Sequence, residues 1–542
     1  MAVITPESDL IFLKVPLEID NKNQLTFANT TAQYNYFSGL TGKRTFDKFT
    51  YIRKDGVIKV PALIDDLYQY NYVMYRNENF SNKWFYAYIT GYEFESPNCT
   101  AVSIKTDVWQ TWFSMLNIKQ SFVEREHVND DTMGLHTIPE NLETGEYVID
   151  SNTKVTLTNP SSGGFYVCFM LTKKPYDTAP MTYATWNIGG IFSGLFCVAV
   201  PVGFANRVVE LYNNSTYTTA DAIVNAYMIP VECVDTSHSM SWDPTSSGSL
   251  TVYEVKEDPV TLNTTNVVEH QNFQGYIPKN KKMFTYPYKY FHITNNVGSD
   301  VEYRWEDFPN NTSGYRQADL TIKCIPSCGA SSKLVFGEYK GYNSTTTGHH
   351  LLMAYGISGA KLPTCPWTTD YYTNWLTQNG VNIAVDAMST IAGAGIAIAT
   401  GGLSEAPSAA LGVGKMIGKT IAATHKASTV PPQAHGDTSM GDITFARQQS
   451  AFNVYGMSIR SEYAKMIDDY LSMFGYKVNS VKVPNVQGRT NWNYVKTIGC
   501  YIEADIPQED LNEIKGMFDA GITFWHNPST FGDYSQSNTI VS

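Results

Sequence analysis

One short stretch concentrates side chains that could perform acid–base or metal chemistry. It contains Glu124, Arg125, Glu126, His127, Asp130 and Asp131. Carboxylates and imidazoles serve as general acids, general bases and metal ligands. Alternation over residues 118–128 predicts a strand with Glu126 on the face of Phe122, opposite Val123 and Arg125. Because a strand points adjacent side chains to opposite faces, we interpret the stretch as a charged strand end that pairs across a strand or a subunit.

Other candidate metal ligands are isolated in the sequence. Cys324 and Cys328 have the spacing of half a zinc finger, but no second ligand pair follows at a suitable distance. His238, His349 and His350 lie in polar stretches, so we interpret them as solvated loop residues. We therefore expect neither a metal nor another cofactor.

The sequence also lacks the local signatures of common enzymes. It contains no GxSxG elbow, no Walker loop and no HExxH zinc motif. These absences predict no enzymatic activity and no catalytic residue. Paired carboxylates leave no local motif, so a cell-wall hydrolase in the middle of the chain is an open alternative.

An apolar segment lies two-thirds of the way along the chain. Residues 380–403 carry Asp386 as their only charge, and a second apolar run follows Glu405 and Pro407. The first run has about the 20 residues that a membrane-spanning helix needs. Its many Ala and Gly residues suit close helix packing in lipid, and equally a buried hairpin. We predict a hydrophobic membrane-active loop over residues 371–435, stored in one state and exposed in another.

Particular residues of this segment are predicted to act on the membrane. The apolar positions are Val381, Ile383, Val385, Ile391, Ile396, Ile398, Leu403, Leu411, Val413, Met416, Ile417 and Ile421. Asp386, Glu405 and His425 are the predicted protonation switch. Neutralising a carboxylate lowers the free energy needed to move it into lipid, so acid should favour insertion.

The composition describes a large, acidic and tyrosine-rich protein. The 542 residues carry a net charge of −12 and include 36 Tyr. This charge excludes a basic, sequence-reading nucleic-acid binder, whereas an acidic wall would let DNA slide past. We expect reduced thiols and synthesis in a cytoplasm, because the eight cysteines are scattered and no signal-peptide pattern opens the sequence.

The predicted elements are mostly strands, so the fold class is mainly β with some α. Asp55-Gly56 indicates a hairpin, and Asp107 is placed to cap a short helical turn. Residues 457–474 predict one amphipathic helix that ends at Gly475. Its apolar face is predicted to include Met466, and its charged face Asp468.

Several short motifs stand in an order that resembles a known family. They are residues 33–37 (QYNYF), 82–90 (NKWFYAYIT), 107–112 (DVWQTW), 121–128 (SFVEREHV), 492–497 (WNYVKT) and 521–526 (GITFWH). In this series the chain resembles the tail knob, or distal tail tube, proteins of small short-tailed phages that infect Gram-positive bacteria.

This resemblance implies a homohexameric tube with a β-barrel or β-sandwich body and a long Ala/Gly-rich loop insertion. In that family the tube conducts DNA, and hydrophobic loops plug it until they enter the host membrane. The expected partners are further copies of the chain, a proximal tail or collar protein, the passing DNA and the host cell membrane. The expected location is the virion tail tip, after synthesis in the host cytoplasm. A tail-tip protein with receptor-binding or cell-wall-degrading activity is the alternative.

The same interpretation divides the chain into four parts. Residues 1–140 begin the tube body, and residues 141–370 form a β-rich knob region. Residues 371–435 are the membrane-active loop. Residues 436–542 supply a return helix and complete the body, so that both ends of the sequence build one β structure.

Overall fold

Strands dominate the described part of the chain, which confirms a mainly β fold with some α. The computed structural model describes residues 8–47, 50–52, 56–77, 82–157, 164–180, 185–188, 191–213, 222–242, 250–296, 298–326, 331–341, 356–361, 364–366 and 452–541. The chain forms two compact units. Unit 1 comprises Met1–Gly145, Gly275–Phe284 and Arg460–Ser542, and unit 2 comprises Glu146–Gln274 and Thr285–Ile459. The four-part division and the closure of a barrel or sandwich stay predictions.

Unit 1 contains fourteen strands and four α-helices within its described residues. The strands are β1 (Ser8–Leu13), β2 (Asn23–Leu25), β3 (Arg44–Asp47), β4 (Thr50–Ile52), β5 (Val57–Val60), β6 (Tyr72–Asn77), β7 (Phe85–Ser96), β8 (Cys99–Thr106), β9 (Asn117–Ile118), β10 (Ser121–Glu126), β26 (Tyr476–Lys482), β27 (Trp492–Ile498), β28 (Ile502–Glu503) and β29 (Ile522–Trp525). The helices are α1 (Thr30–Gly39), α2 (Val108–Trp112), α4 (Ser461–Phe474) and α5 (Gln508–Ala520).

The sheets of unit 1 join early and late parts of the sequence. One antiparallel sheet has the order β3-β1-β6-β7-β8-β5-β4, and a second has the order β2-β29-β27-β10-β26. In the second sheet, β2 runs parallel to β29, and β10 pairs with both β26 and β27. Trp492 and Trp525 are fully buried in the core with Phe37. In the second sheet, strands from both ends of the sequence therefore pair with one another.

Two of three local signals in unit 1 were predicted correctly from the sequence. Strands β4 and β5 form the hairpin at Gly56, which has the positive φ of 60° that this turn requires. Asp107 caps α2, since its carboxylate accepts a hydrogen bond from the Gln110 N–H at 3.0 Å. Helix α5 was missed, although Leu511, Ile514 and Phe518 recur at helical spacing and are buried.

The predicted amphipathic helix begins later than expected, and its faces differ. Residues 457–459 belong to a strand that pairs along its whole length, so the helix α4 begins at Ser461. Met466 was assigned to the apolar face but is 69% exposed, whereas Asp468 was assigned to the charged face and is fully buried. Both assignments were wrong. Asp468 can be buried because the segment 276–280 supplies hydrogen-bond donors to its carboxylate, which helical periodicity does not reveal.

Unit 2 contains fifteen strands and one α-helix within its described residues. The strands are β11 (Tyr147–Val155), β12 (Phe165–Leu171), β13 (Thr185–Ile188), β14 (Ile191–Pro201), β15 (Ile223–Pro230), β16 (Val234–Ser241), β17 (Thr251–Val255), β18 (Val260–Val268), β19 (Lys289–Thr294), β20 (Asp300–Tyr303), β21 (Gln317–Cys324), β22 (Ser331–Gly337), β23 (Ile357–Lys361), β24 (Thr364–Pro366) and β25 (Phe452–Ile459). The helix is α3 (Ala205–Asn213).

The strands of unit 2 form three sheets. Their orders are β11-β25-β19-β20, β18-β21-β22-β23 and β16-β17-β14-β12-β15-β24, and β13 also pairs with β14. One apolar core contains residues of all three sheets, including Phe291, Leu320 and Val198. Strand β25 lies between β11 and β19 and is therefore a central strand of its sheet, although it follows the other strands of unit 2 in the sequence.

The predicted membrane-active loop falls between β24 and β25. All of its named apolar positions, with Asp386, Glu405 and His425, lie outside the described residues, as do Cys328, His349 and His350. Among the helices of the described residues, none combines the length and the apolar character that crossing a bilayer requires.

Candidate functional site

The charged stretch 124–131 lies where strands from both ends of the sequence meet. A β-bulge in β10 shifts the register between Val123 and Arg125. Glu126 is therefore paired with the buried Val495 and is itself fully buried, rather than lying on the face of Phe122. The predicted strict alternation was wrong, because the bulge inserts one residue into β10 and the side chains after it therefore point to the opposite face of the sheet.

The predicted pairing across strands is confirmed for this stretch. Glu124 on β10 forms an ion pair with Lys496 on β27, with 2.9 Å between their charged atoms. Glu126 contacts Lys482 on β26 and accepts a hydrogen bond from the Asn485 N–H at 2.8 Å. Acidic groups that could have formed a catalytic pair are thus neutralised by cations of neighbouring strands.

Glu140 is the centre of a buried ionic cluster in unit 1. Its carboxylate contacts the Arg125 guanidinium and the Lys282 ammonium, and it accepts a hydrogen bond from the Lys477 N–H at 2.9 Å. Arg125 also donates to the Gly475 carbonyl at 2.8 Å. Burial lowers the pKa of Lys282, while Glu140 opposes that shift. The cluster ties four distant segments of the chain together.

Two more buried side chains, those of Asp468 and His127, also join distant segments of unit 1 by hydrogen bonds. Asp468 accepts hydrogen bonds from the Lys279 N–H at 2.8 Å and the Asn280 N–H at 3.0 Å, which fastens residues 276–280 to α4. His127 accepts from the Tyr494 N–H at 2.7 Å, and its other ring nitrogen lies 3.1 Å from the Ser472 carbonyl. Burial lowers the pKa of His127 to about 3, so its ring is neutral and serves as a hydrogen-bonding joint.

The outer face of the same sheet carries an exposed apolar row. Val481 on β26, Phe122 on β10 and Ile498 on β27 are direct cross-strand partners, so their side chains share one face. Their exposed fractions are 67%, 37% and 59%. We call these three residues the apolar row; it ends at β26, the edge strand of the sheet in the described residues.

Several features of this row are typical of a protein interface. Adjacent large apolar side chains on an exposed sheet face, next to an edge strand, mark surfaces that bind another protein. The Glu124–Lys496 ion pair lies two residues along each strand from the row and supplies a polar rim. The row was missed in the sequence, because only the register places Val481 and Ile498 beside Phe122.

Some other predicted residues are also placed by the structure. His238 was interpreted as a solvated loop residue. It is exposed as expected, but it lies in strand β16 rather than in a loop, where it contacts Asp235 and Glu254. The buried thiol of Cys324 lies 3.4 Å from the Ile325 carbonyl oxygen, to which it donates a hydrogen bond. Its sequence partner Cys328 is among the residues outside the description.

A solved structure is similar to this chain in fold, and known proteins are similar to it in sequence. The chain superposes on the tail knob protein gp12 of bacteriophage C1 with a TM-score of 0.63, over 98% of this chain and 100% of that one, at 14% identity. That likeness supports the fold alone. The tail knob proteins gp9 of Bacillus phages PZA and phi29 are 27% and 26% identical to it, and in each case 98% of both chains is covered.

Two family models match the sequence. The caudoviral major tail protein N-terminus matches residues 8–117. The C-terminal domain of the Bacillus phage phi29 tail knob protein gp9 matches residues 253–539, which is more than half of the chain. The resemblance seen in the sequence motifs is therefore confirmed, and the chain belongs to the family of phage tail knob proteins, structural components of the virion tail.

Proposed function

We propose that this chain is the subunit of a homohexameric tube at the distal end of a short phage tail, and that it conducts DNA without enzymatic activity. The observation that carries the proposal is the apolar row on the edge of the second sheet of unit 1. Within one subunit its three side chains leave apolar area in water, and covering that area is favourable by about 25 cal/mol per Å². Head-to-tail contact between identical subunits covers such a row and closes a ring.

The acidic composition suits the proposed conduit. A net charge of −12 per chain disfavours adhesion of the phosphate backbone, because like charges repel. DNA would then pass through the lumen without sequence-specific contacts. A proximal tail or collar protein would connect this tube to the rest of the virion.

The apolar segment supplies the proposed exit device. In the closed state, residues 371–435 of neighbouring subunits would cover one another inside the tube. After contact with the cell they would enter the host membrane and form a channel. Because every backbone polar group must be hydrogen-bonded in lipid, the inserted form would be helical or a closed barrel.

Assembly is tested by placing a charge in the apolar row. We expect Val481→Asp with Ile498→Asp to remain monomeric by light scattering, while its thermal unfolding matches that of the unmodified chain. Met466→Asp is the matched control, since Met466 is 69% exposed in unit 1 but lies on α4. Rings formed by the double variant as readily as by the control would contradict the proposed interface.

Membrane action is tested separately by dye release from liposomes. The intact protein is compared with a version in which residues 380–430 are replaced by a short Gly/Ser linker. We expect leakage from the intact protein alone, with the same ring formed by both. Absence of leakage at every pH would leave a structural tail tube without membrane activity. Clearing of peptidoglycan by either protein would instead support the cell-wall-degrading alternative.

A further inference from the structure

Two carboxylates lie directly opposite each other in unit 2. Asp235 on β16 and Glu254 on β17 are register partners in an antiparallel pair. Like charges at directly opposed positions repel, which destabilises the pairing of the two strands. This position in the sheet therefore favours a cation between the two side chains.

A third ligand type converges on the same point. The register shifts between Asp235 and Ser239, and the irregular stretch carries His238 to the side of both carboxylates. His238 Nδ1 lies 2.8 Å from Asp235 Oδ2 and 3.1 Å from Glu254 Oε2. The ligand atoms of Asp235, His238 and Glu254 all lie within 4.8 Å of one another. In the ranges that the structure describes, these residues form the one such group of three metal-ligating side chains.

The two ligand-atom separations from His238 are close to those of a first coordination sphere, and the two carboxylates lie within 4.8 Å of each other. Ligand atoms about 2.0–2.2 Å from a tetrahedral Zn²⁺ lie roughly 3.4 Å from one another. The observed separations of 2.8 and 3.1 Å from His238 need an expansion of only a few tenths of an ångström. His238 is 47% exposed at its side chain, so an ion can enter from solvent and water can complete its coordination.

We propose that Asp235, His238 and Glu254 bind one divalent transition-metal ion of the Zn²⁺ class. An imidazole nitrogen with two carboxylates suits Zn²⁺, Co²⁺ or Ni²⁺, whereas Mg²⁺ and Ca²⁺ prefer oxygen ligands alone. The bound ion lies between the His238 Nδ1 and its two acidic neighbours. It neutralises the opposed carboxylates and fastens the irregular part of β16 to β17. This site is independent of the proposed tube and membrane functions.

Calorimetric titration of the full chain with Zn²⁺, after chelator treatment, tests the site. We expect one ion per chain, with binding that tightens as pH rises from 5.5 to 7.5 because the imidazole must lose its proton. His238→Gln and Glu254→Gln should each weaken binding by at least about 10-fold. Glu254→Gln also removes the repulsion from Asp235, so its hairpin is expected to stay folded.

His292→Gln is the matched control. Among the described residues of the same unit, His292 faces a single carboxylate, that of Asp300, at 3.8 Å. We expect this variant to bind Zn²⁺ with the same affinity as the unmodified chain. When both proteins are loaded with Co²⁺ instead, they should show the same visible absorption of the bound ion. Zn²⁺ binding that is absent, or that is equally strong in His238→Gln and His292→Gln, would overturn the proposal. The direct contacts of His238 with the two carboxylates would then be the whole role of these residues.

Discussion

Glu140 is the carboxylate on which the buried cations of unit 1 converge. Its side chain is fully buried against Arg125 and Lys282. We predict that Glu140→Gln lowers the free energy of unfolding by about 3–5 kcal/mol, because two buried cations then face a neutral amide. Urea unfolding followed by tryptophan fluorescence measures this loss. Glu124→Gln breaks a partly exposed pair and should cost less than about 1 kcal/mol; equal losses would contradict the assigned role.

His127 makes the stability of unit 1 depend on pH. Its pKa is about 3 in the folded chain because burial disfavours the charged ring, whereas an unfolded histidine has a pKa of 6.5. Between these values only the unfolded chain takes up the proton. The free energy of unfolding should therefore keep its full value above pH 6.5. It should decrease as the pH falls below 6.5, with a slope approaching about 1.4 kcal/mol per pH unit.

His127→Gln removes this proton uptake while its amide can still accept from Tyr494 and donate to Ser472. We predict a shallower fall in stability between pH 6.5 and 5, measured by urea unfolding at fixed ionic strength. His136→Gln, at a half-buried histidine of the same unit, is the control and should keep the steeper slope. The prediction fails when His127→Gln and the unmodified chain lose stability in parallel.

At the scale of elements, the junction between α4 and β26 depends on Gly475. This residue has φ 66° and ψ −158°, a conformation that other residues rarely adopt. An added Cβ would lie 2.1 Å from the carbonyl oxygen of Glu126. We predict that Gly475→Ala destabilises unit 1 by about 2–4 kcal/mol in thermal or urea unfolding.

Gly516 provides the matched control for this substitution. It lies in the interior of α5, is exposed, and has open space around an added Cβ. Gly516→Ala should be neutral or stabilise the chain by up to about 1 kcal/mol, because alanine has the higher helix propensity. A similar loss at both positions would show that the geometry at Gly475 is not the cause.

For the whole molecule, we predict that membrane action increases at low pH. Protonation of Asp386 and Glu405 removes charges that oppose insertion, whereas protonation of His425 adds one. Asp386→Asn with Glu405→Gln should release liposome dye at neutral pH to the extent that the unmodified chain does at acid pH. His425→Gln is the control of opposite sign and should not reduce leakage at acid pH. Unchanged leakage by the double variant across the pH range would exclude the proposed switch.

The sequence by itself determined the local structure and the family. The hairpin at Gly56, the cap at Asp107 and the end of α4 at Gly475 follow from conformations that a few adjacent residues prefer. Family membership could be inferred from several short motifs that follow one another in a fixed order along the sequence. The apolar segment was visible because its composition departs from that of the rest of the chain.

Only the tertiary structure decided which distant residues meet. The partners that surround the buried Glu126, the donors to Asp468 and the neighbours of Phe122 all come from other segments. A shift of one residue in strand register exchanges the two faces of a strand, so periodicity in one segment does not determine its partners. The apolar row and the Asp235–His238–Glu254 trio depend on such register and could be recognised only in the folded chain.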